Sequence, residues 1–170
     1  MFDDTDDTDG VATRVGEALR RADATLAVAE SCTGGLVGSL LTDVSGASDY
    51  FDRSVVTYSY GAKRDLLAVS RESLDEHGAV STAVAREMAR GVRDTADTTW
   101  GLATTGIAGP SGGTDEKPVG TVYVGVANAA PWGTGASETT VERHVFEGSR
   151  VERKRRFAER ALADLLDRLE

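Results

Sequence analysis

The sequence is poor in what several classes of function require. One cysteine, Cys32, stands among 170 residues, which excludes an internal disulfide and offers no thiolate cluster to a metal. The two histidines, His77 and His144, fall in dissimilar contexts with no HxxxH or HExxH spacing, and both are read as surface residues. No apolar stretch approaches membrane-spanning length. The start Met1-Phe2-Asp3-Asp4 is acidic, unlike a secretory signal. Lysine is scarce: Lys63, Lys117 and Lys154 are the three, and every other basic side chain is Arg. Aromatic residues make up 6%. With a net charge of −9, the chain repels phosphate backbones, so no nucleic-acid partner is expected. The acidic, lysine-poor composition resembles that of proteins from salt-loving organisms, where salt screens self-repulsion. A cytoplasmic location and no contact with membranes follow as expectations.

Hydrophobic residues at 40% and a length short of two typical domains point to one globular domain with a sizeable core. Residues 1–10 read as an acidic tail, its Asp/Thr run disordered and solvating, and residues 11–170 as the domain. Val11, Val15, Ala18, Leu19 and Ala22 mark an amphipathic helix. Strands are expected over Thr25–Ala29, Tyr50–Tyr58, Trp100–Thr104, Gly120–Asn128 and Glu138–Phe146. Helices are expected over Gly34–Leu41, from Gly61, from Ser81-Thr82 to Ala96, and over Ser149–Leu169, with Ser59, Ser70 and Ser81 as caps. Alternating strands and helices favour an α/β fold: a single three-layer α/β/α sandwich with a mostly parallel, mixed central sheet.

The most informative segment is Ala29-Glu30-Ser31-Cys32-Thr33-Gly34-Gly35. It lies between two apolar runs, so it reads as a strand, a tight glycine turn and a helix start. Two hydroxyls, a thiol and a carboxylate stand where free N–H groups point outward, a setting for a nucleophile, an oxyanion or a phosphate. Taken alone, the turn reads first as a helix cap made by Ser31 or Thr33. The loop from Thr105 to Gly113 also offers N–H groups to an anion, but matches neither a Walker A loop nor the Gly-x-Gly-x-x-Gly pattern. If the first three strands run parallel, loops 30–35, 58–63 and 105–113 share one end of the sheet, where Ser31, Thr33, Tyr58, Lys63 and Thr105 can meet. A lysine kept among arginines makes sense where an amine must lose its proton, which guanidinium does not. A serine activated by neutral lysine is suited to acyl transfer. The basic run Arg150, Arg153, Lys154, Arg155, Arg156 reads by default as a solvated face, with Arg150 placed to reach a phosphate or carboxylate.

Taken together, the turn at 29–35, Val56-Thr57-Tyr58-Ser59 with Lys63, His77-Gly78-Ala79-Val80-Ser81, Thr105–Gly113 and Lys117-Pro118-Val119-Gly120-Thr121-Val122 resemble the CinA C-terminal domain family over about residues 11–168. The resemblance implies an α/β/α fold, frequently dimeric. It implies hydrolysis of nicotinamide mononucleotide to nicotinate mononucleotide and ammonia, with no metal or organic cofactor. By position, Ser31, Ser48, Tyr58, Lys63 and Thr105 fall on the family's catalytic motifs. Glu30, Thr33, Gly34, Gly106 and Arg150 would contact substrate, the 5′-phosphate being held by Arg150 or the glycine loops. Tyr58-Ser59-Tyr60 departs from the family's usual Tyr-Ser-Asn. Ser31 and Ser48 both stand as nucleophile, as does an activated water. The alternatives are an amidohydrolase of another substrate and a non-catalytic nucleotide-binding module of the competence and DNA-damage type for which the family is named.

Overall fold

In Leu26-Ala27-Val28-Ala29 large and small apolar side chains alternate, and a strand sends them to opposite faces. The computed structural model, which describes residues 8–170, shows where each set goes. Strand β1 (Leu26–Glu30) is buried throughout. It is flanked by β2 (Phe51–Val56) and β3 (Trp100–Gly106), both parallel to it. Strands β4 (Thr121–Asn128) and β5 (Glu138–Val145) continue the sheet by successive antiparallel pairings, giving the order β2-β1-β3-β4-β5. Four strands therefore point one way and β4 the other.

On one face Leu26, Val28, Leu102, Val122, Val124 and Val126 meet helices α1 (Thr8–Arg21), α2 (Leu36–Thr42) and α6 (Arg150–Leu169), through Val15, Leu19, Val37, Leu41, Phe157 and Leu165. On the other face Ala27, Ala29, Ala103 and Ala127 lie under α3 (Tyr60–Leu67), α4 (Arg71–His77) and α5 (Thr82–Ala96). Here small residues are required. A methyl at Gly101 would lie 2.1 Å from the Ala89 carbonyl oxygen, and one at Gly125 2.6 Å from that of Ala85. Helix α5 thus rides directly on the sheet backbone, and the three layers follow.

Ser59, Ser70, Ser81 and Ser149 cap α3, α4, α5 and α6, each accepting a backbone N–H. The cap expected from Ser31 or Thr33 is overturned: α2 begins after Gly35, with no side-chain cap on that residue. The acidic tail's residues 3–7 lie outside the described residues, and α1 already begins at Thr8.

Strands β1 and β2 are neighbours whose exits turn to opposite faces, β1 into α2 and β2 into α3. Such a divergence opens a crevice at the C-terminal strand ends.

Candidate active site

The crevice is built around two buried ionisable groups. The Glu30 carboxylate, with no exposed surface, accepts from the amides of Gly35 (3.0 Å), Val37 (3.1 Å) and Gly38 (2.8 Å). It also accepts from the hydroxyls of Thr33 (2.6 Å) and Ser54 (2.7 Å). An anion held by the open amides at a helix start is electrostatically favoured, so Glu30 takes the place of the missing cap and ties the turn to α2 and β2. Thr33 extends this tie to Thr104, 2.8 Å away. Gly34 and Gly35 lie at φ +60° and +103°, the left-handed backbone the tight turn requires. Glu30 and Thr33 therefore lie beneath the turn and shape it.

Ser31, on the upper side of the turn, meets Lys63. The Lys63 Nζ stands 2.8 Å from Ser31 Oγ and 2.6 Å from the Thr57 carbonyl oxygen. Lys63 comes from the second turn of α3, which the Ser59 cap fixes, and its side chain is wholly buried. Among the described residues no carboxylate pairs with it. Burial pulls the amine from an ordinary value near 10.5 down to about 8; roughly a tenth of it is neutral at pH 7. In the structure the amine donates to both the Thr57 carbonyl and Ser31 Oγ; in its neutral form it has a lone pair with which to take the Ser31 proton across the same contact. Cys32 next in the chain is different: burial pushes its thiol up to about 12, so it is no thiolate nucleophile.

Among the described residues no protein oxygen accepts the amides of Cys32 or Thr33. The first of these follows Ser31, a position suited to an oxyanion. Thr105 is buried, and its hydroxyl donates to the Ala79 carbonyl at 2.7 Å, which leaves its oxygen as an acceptor. A methyl at Gly106 would lie 3.2 Å from the Cys32 sulfur and 2.6 Å from the Thr121 carbonyl oxygen, so Gly106 lets β3 close under the turn. Tyr58 stands exposed at the rim. Its hydroxyl accepts from Arg150 at 3.3 Å, and Arg150 also donates to the Gly109 carbonyl at 2.6 Å.

Ser48 lies apart from this group. It sits in a single 3₁₀ turn (Ala47–Asp49) before β2, where Leu26 pairs with Phe51. That is the opposite end of the parallel strands from Ser31, so within one chain the two serines do not meet. Two further expectations are corrected. His144 is not a free surface residue: its Nε2 lies 2.8 Å from Asp164 Oδ2, under α6. Nor is the basic run simply solvated, because Arg153 donates to the Phe146 and Ala108 carbonyls. Sequence reasoning passed over Thr57 and Lys154. The first acts through its backbone, and the second was indistinguishable from its basic neighbours.

Comparison with known proteins identifies the family and the fold. The model of the CinA C-terminal domain matches residues 8–169. A CinA-like protein of Salinibacter ruber is 53% identical over 150 residues, 88% of this chain and 35% of that protein. One from Chlorobaculum tepidum is 54% identical over 145 residues, 85% of this chain and 34% of the relative. The chain thus spans about a third of the length of these curated relatives. Among solved structures, the competence/damage inducible protein CihA from Agrobacterium tumefaciens superposes with a TM-score of 0.87 at 34% identity, covering 95% of this chain and 94% of its own. A CinA superfamily protein from Enterobacter cloacae gives 0.89 at 30% identity, covering 100% and 96%.

Proposed function

This chain belongs to the CinA C-terminal domain family, and we propose that it is an amidohydrolase that converts nicotinamide mononucleotide and water to nicotinate mononucleotide and ammonia. The observation that carries the reading is the buried, uncompensated Lys63 amine 2.8 Å from Ser31 Oγ. A module that only binds nucleotides has no use for a lysine held near neutrality, whereas a serine nucleophile needs such a base.

In this reading Lys63 removes the Ser31 proton as Oγ attacks the carboxamide carbon. The tetrahedral oxyanion is held by the open amides of Cys32 and Thr33, a contribution of roughly 3–4 kcal/mol for a well-placed donor. Collapse breaks the C–N bond. The single proton held by Lys63 goes to the departing nitrogen, giving ammonia, while the Tyr58 phenol, oriented by Arg150, hydrogen-bonds the leaving group at the rim without losing its own proton. Water, deprotonated by the restored amine, then attacks the Ser31 ester; the acyl C–Oγ bond breaks, Lys63 returns the proton to Oγ, and the carboxylic acid leaves and ionises. Nothing in this sequence calls for a metal or organic cofactor. Ser31 is preferred to Ser48 because only the former faces the amine within one chain.

The test is release of ammonia and nicotinate mononucleotide by the wild type beside Ser31→Ala, Lys63→Met and Ser48→Ala, in high potassium chloride. Turnover lost in the first two and kept in the third supports the assignment. A folded wild type without turnover overturns it. Loss in Ser48→Ala would bring that serine into the site from a second copy of the chain.

A further inference from the structure

The first turns of α6 present cations to the rim of the crevice, and three of them differ in how they are used. Arg153 is spent on the Phe146 and Ala108 carbonyls. Arg150 is partly spent on Gly109 and Tyr58, with guanidinium N–H groups to spare. Lys154, half-buried, makes no hydrogen bond or ion pair with any described residue, yet it is not turned to open solvent. A methyl placed on Gly34 would lie 3.7 Å from its Nζ, so the ammonium stands over the turn that carries Ser31. Leaving a cation half-buried and unpaired costs free energy that a surface lysine avoids by extending into water. In a chain of net charge −9, carboxylates for pairing are abundant, but none among the described residues pairs with Lys154.

We propose that Lys154, with the free edge of Arg150, binds the phosphate monoester of the substrate and makes the site selective for the mononucleotide over the uncharged riboside. The inference rests on the deamidase reading and extends it. The two cations come from successive turns of one helix (i and i+4), so they share a face. Lys154 overhangs the Gly34 side of the turn, while Arg150 reaches Tyr58 and Gly109. Both cations therefore border the space that a ligand held at Ser31 would occupy, Lys154 over the turn itself and Arg150 at the Tyr58 rim. Glycine at 34 leaves open the space that a side chain would fill between the turn and the ammonium.

The experiment uses the full chain, with Lys154→Met and Lys154→Arg beside the wild type. Deamidation is measured with nicotinamide mononucleotide and with nicotinamide riboside, and binding of the mononucleotide and of inorganic phosphate by calorimetry at the same salt. The expected result for Lys154→Met is a KM for the mononucleotide raised roughly 10- to 100-fold with kcat within about two-fold. Its kcat/KM for the riboside stays unchanged, and Lys154→Arg recovers most of the loss. An equal loss on both substrates, or no loss, overturns the proposal while leaving the deamidase reading in place. A wild type that turns over neither substrate but binds phosphate in a Lys154-dependent way overturns the deamidase reading and keeps the anion site. Phosphate and mononucleotide binding that ignores Lys154 overturns the anion site.

Discussion

Two polar clusters in this molecule hold a buried ionisable group, and they differ in how that group is matched. At the far side of the sheet, under α6, Asp164 is almost wholly buried beside a cavity of about 180 Å³. It receives His144 Nε2 at 2.8 Å and Arg160 Nε at 2.6 Å. In the crevice, Lys63 is wholly buried and has a carbonyl and a hydroxyl for company, and no carboxylate among the described residues pairs with it. The first arrangement compensates its charge; the second leaves the charged form at a disadvantage. A compensated group pins an edge strand to a helix, whereas an uncompensated amine is poised to exchange a proton. The difference in pairing, more than the depth of burial, separates the structural cluster from the chemical one. Glu30 belongs with Asp164 in this respect: five donors surround it, and it shapes the turn that Ser31 rides on.

The sharpest way to break this comparison is Lys63→Met, which keeps the apolar stem and removes the amine. Turnover should fall by about 10³-fold or more, while stability at pH 7 should hold or rise, by up to about 3 kcal/mol. Activity assays and thermal melts on the same preparation check both. A variant that loses activity because it unfolds would place Lys63 with the structural group.

The pH profile is the next largest effect. A neutral Lys63 is required, so kcat/KM should climb about tenfold per pH unit below 8 and level off above it. Stability should carry the same signature. Between pH 8 and the ordinary lysine value near 10.5, the unfolded chain binds a proton at Lys63 that the folded chain has released. Stability therefore rises with pH across that window and is flat in this contribution below it. The Lys63→Met variant should lack the rise.

Asp164→Ala should act in the reverse sense. It strands His144, while Arg160 keeps Asp167 at 3.3 Å, and the two retain 23% and 36% side-chain exposure, so the cost should be moderate, about 1–3 kcal/mol. It would be read as a lower Tm with kcat per folded molecule unchanged. The smallest effect is expected from Ser48→Ala, an exposed hydroxyl at the other end of the strands. Turnover within about two-fold of wild type and an unchanged Tm would confine the site to one copy of the chain.

Much of this architecture was legible because it is local. The apolar run of β1, the serine caps before α3, α4 and α5, and the glycine loops at strand ends are short-range signals; the Ser149 cap on α6 was not among those read. The need for small residues on one sheet face was not legible: Gly101 and Gly125 matter because α5, packed from another part of the chain, leaves no room. The turn at 29–35 was recognised as chemically loaded, but the cap that it suggested when taken alone is not formed by Ser31 or Thr33. The acceptor that holds α2's amides is the residue before Ser31, and its reach across the turn depends on backbone angles that no pattern encodes.

The sequence by itself determined the layered α/β class, the order of its elements and the candidate residues. These follow from periodicity, turn chemistry and the choice of Lys at a few positions among many Arg. Only the tertiary structure decided which candidates share a site. It joined Ser31 with Lys63, separated both from Ser48, paired His144 with Asp164 and set Lys154 over Gly34. The physical reason is that the proton affinity of an amine and the freedom of a cation are set by what surrounds them. Those surroundings include residues as far apart as Gly34 and Lys154, brought together by the sheet.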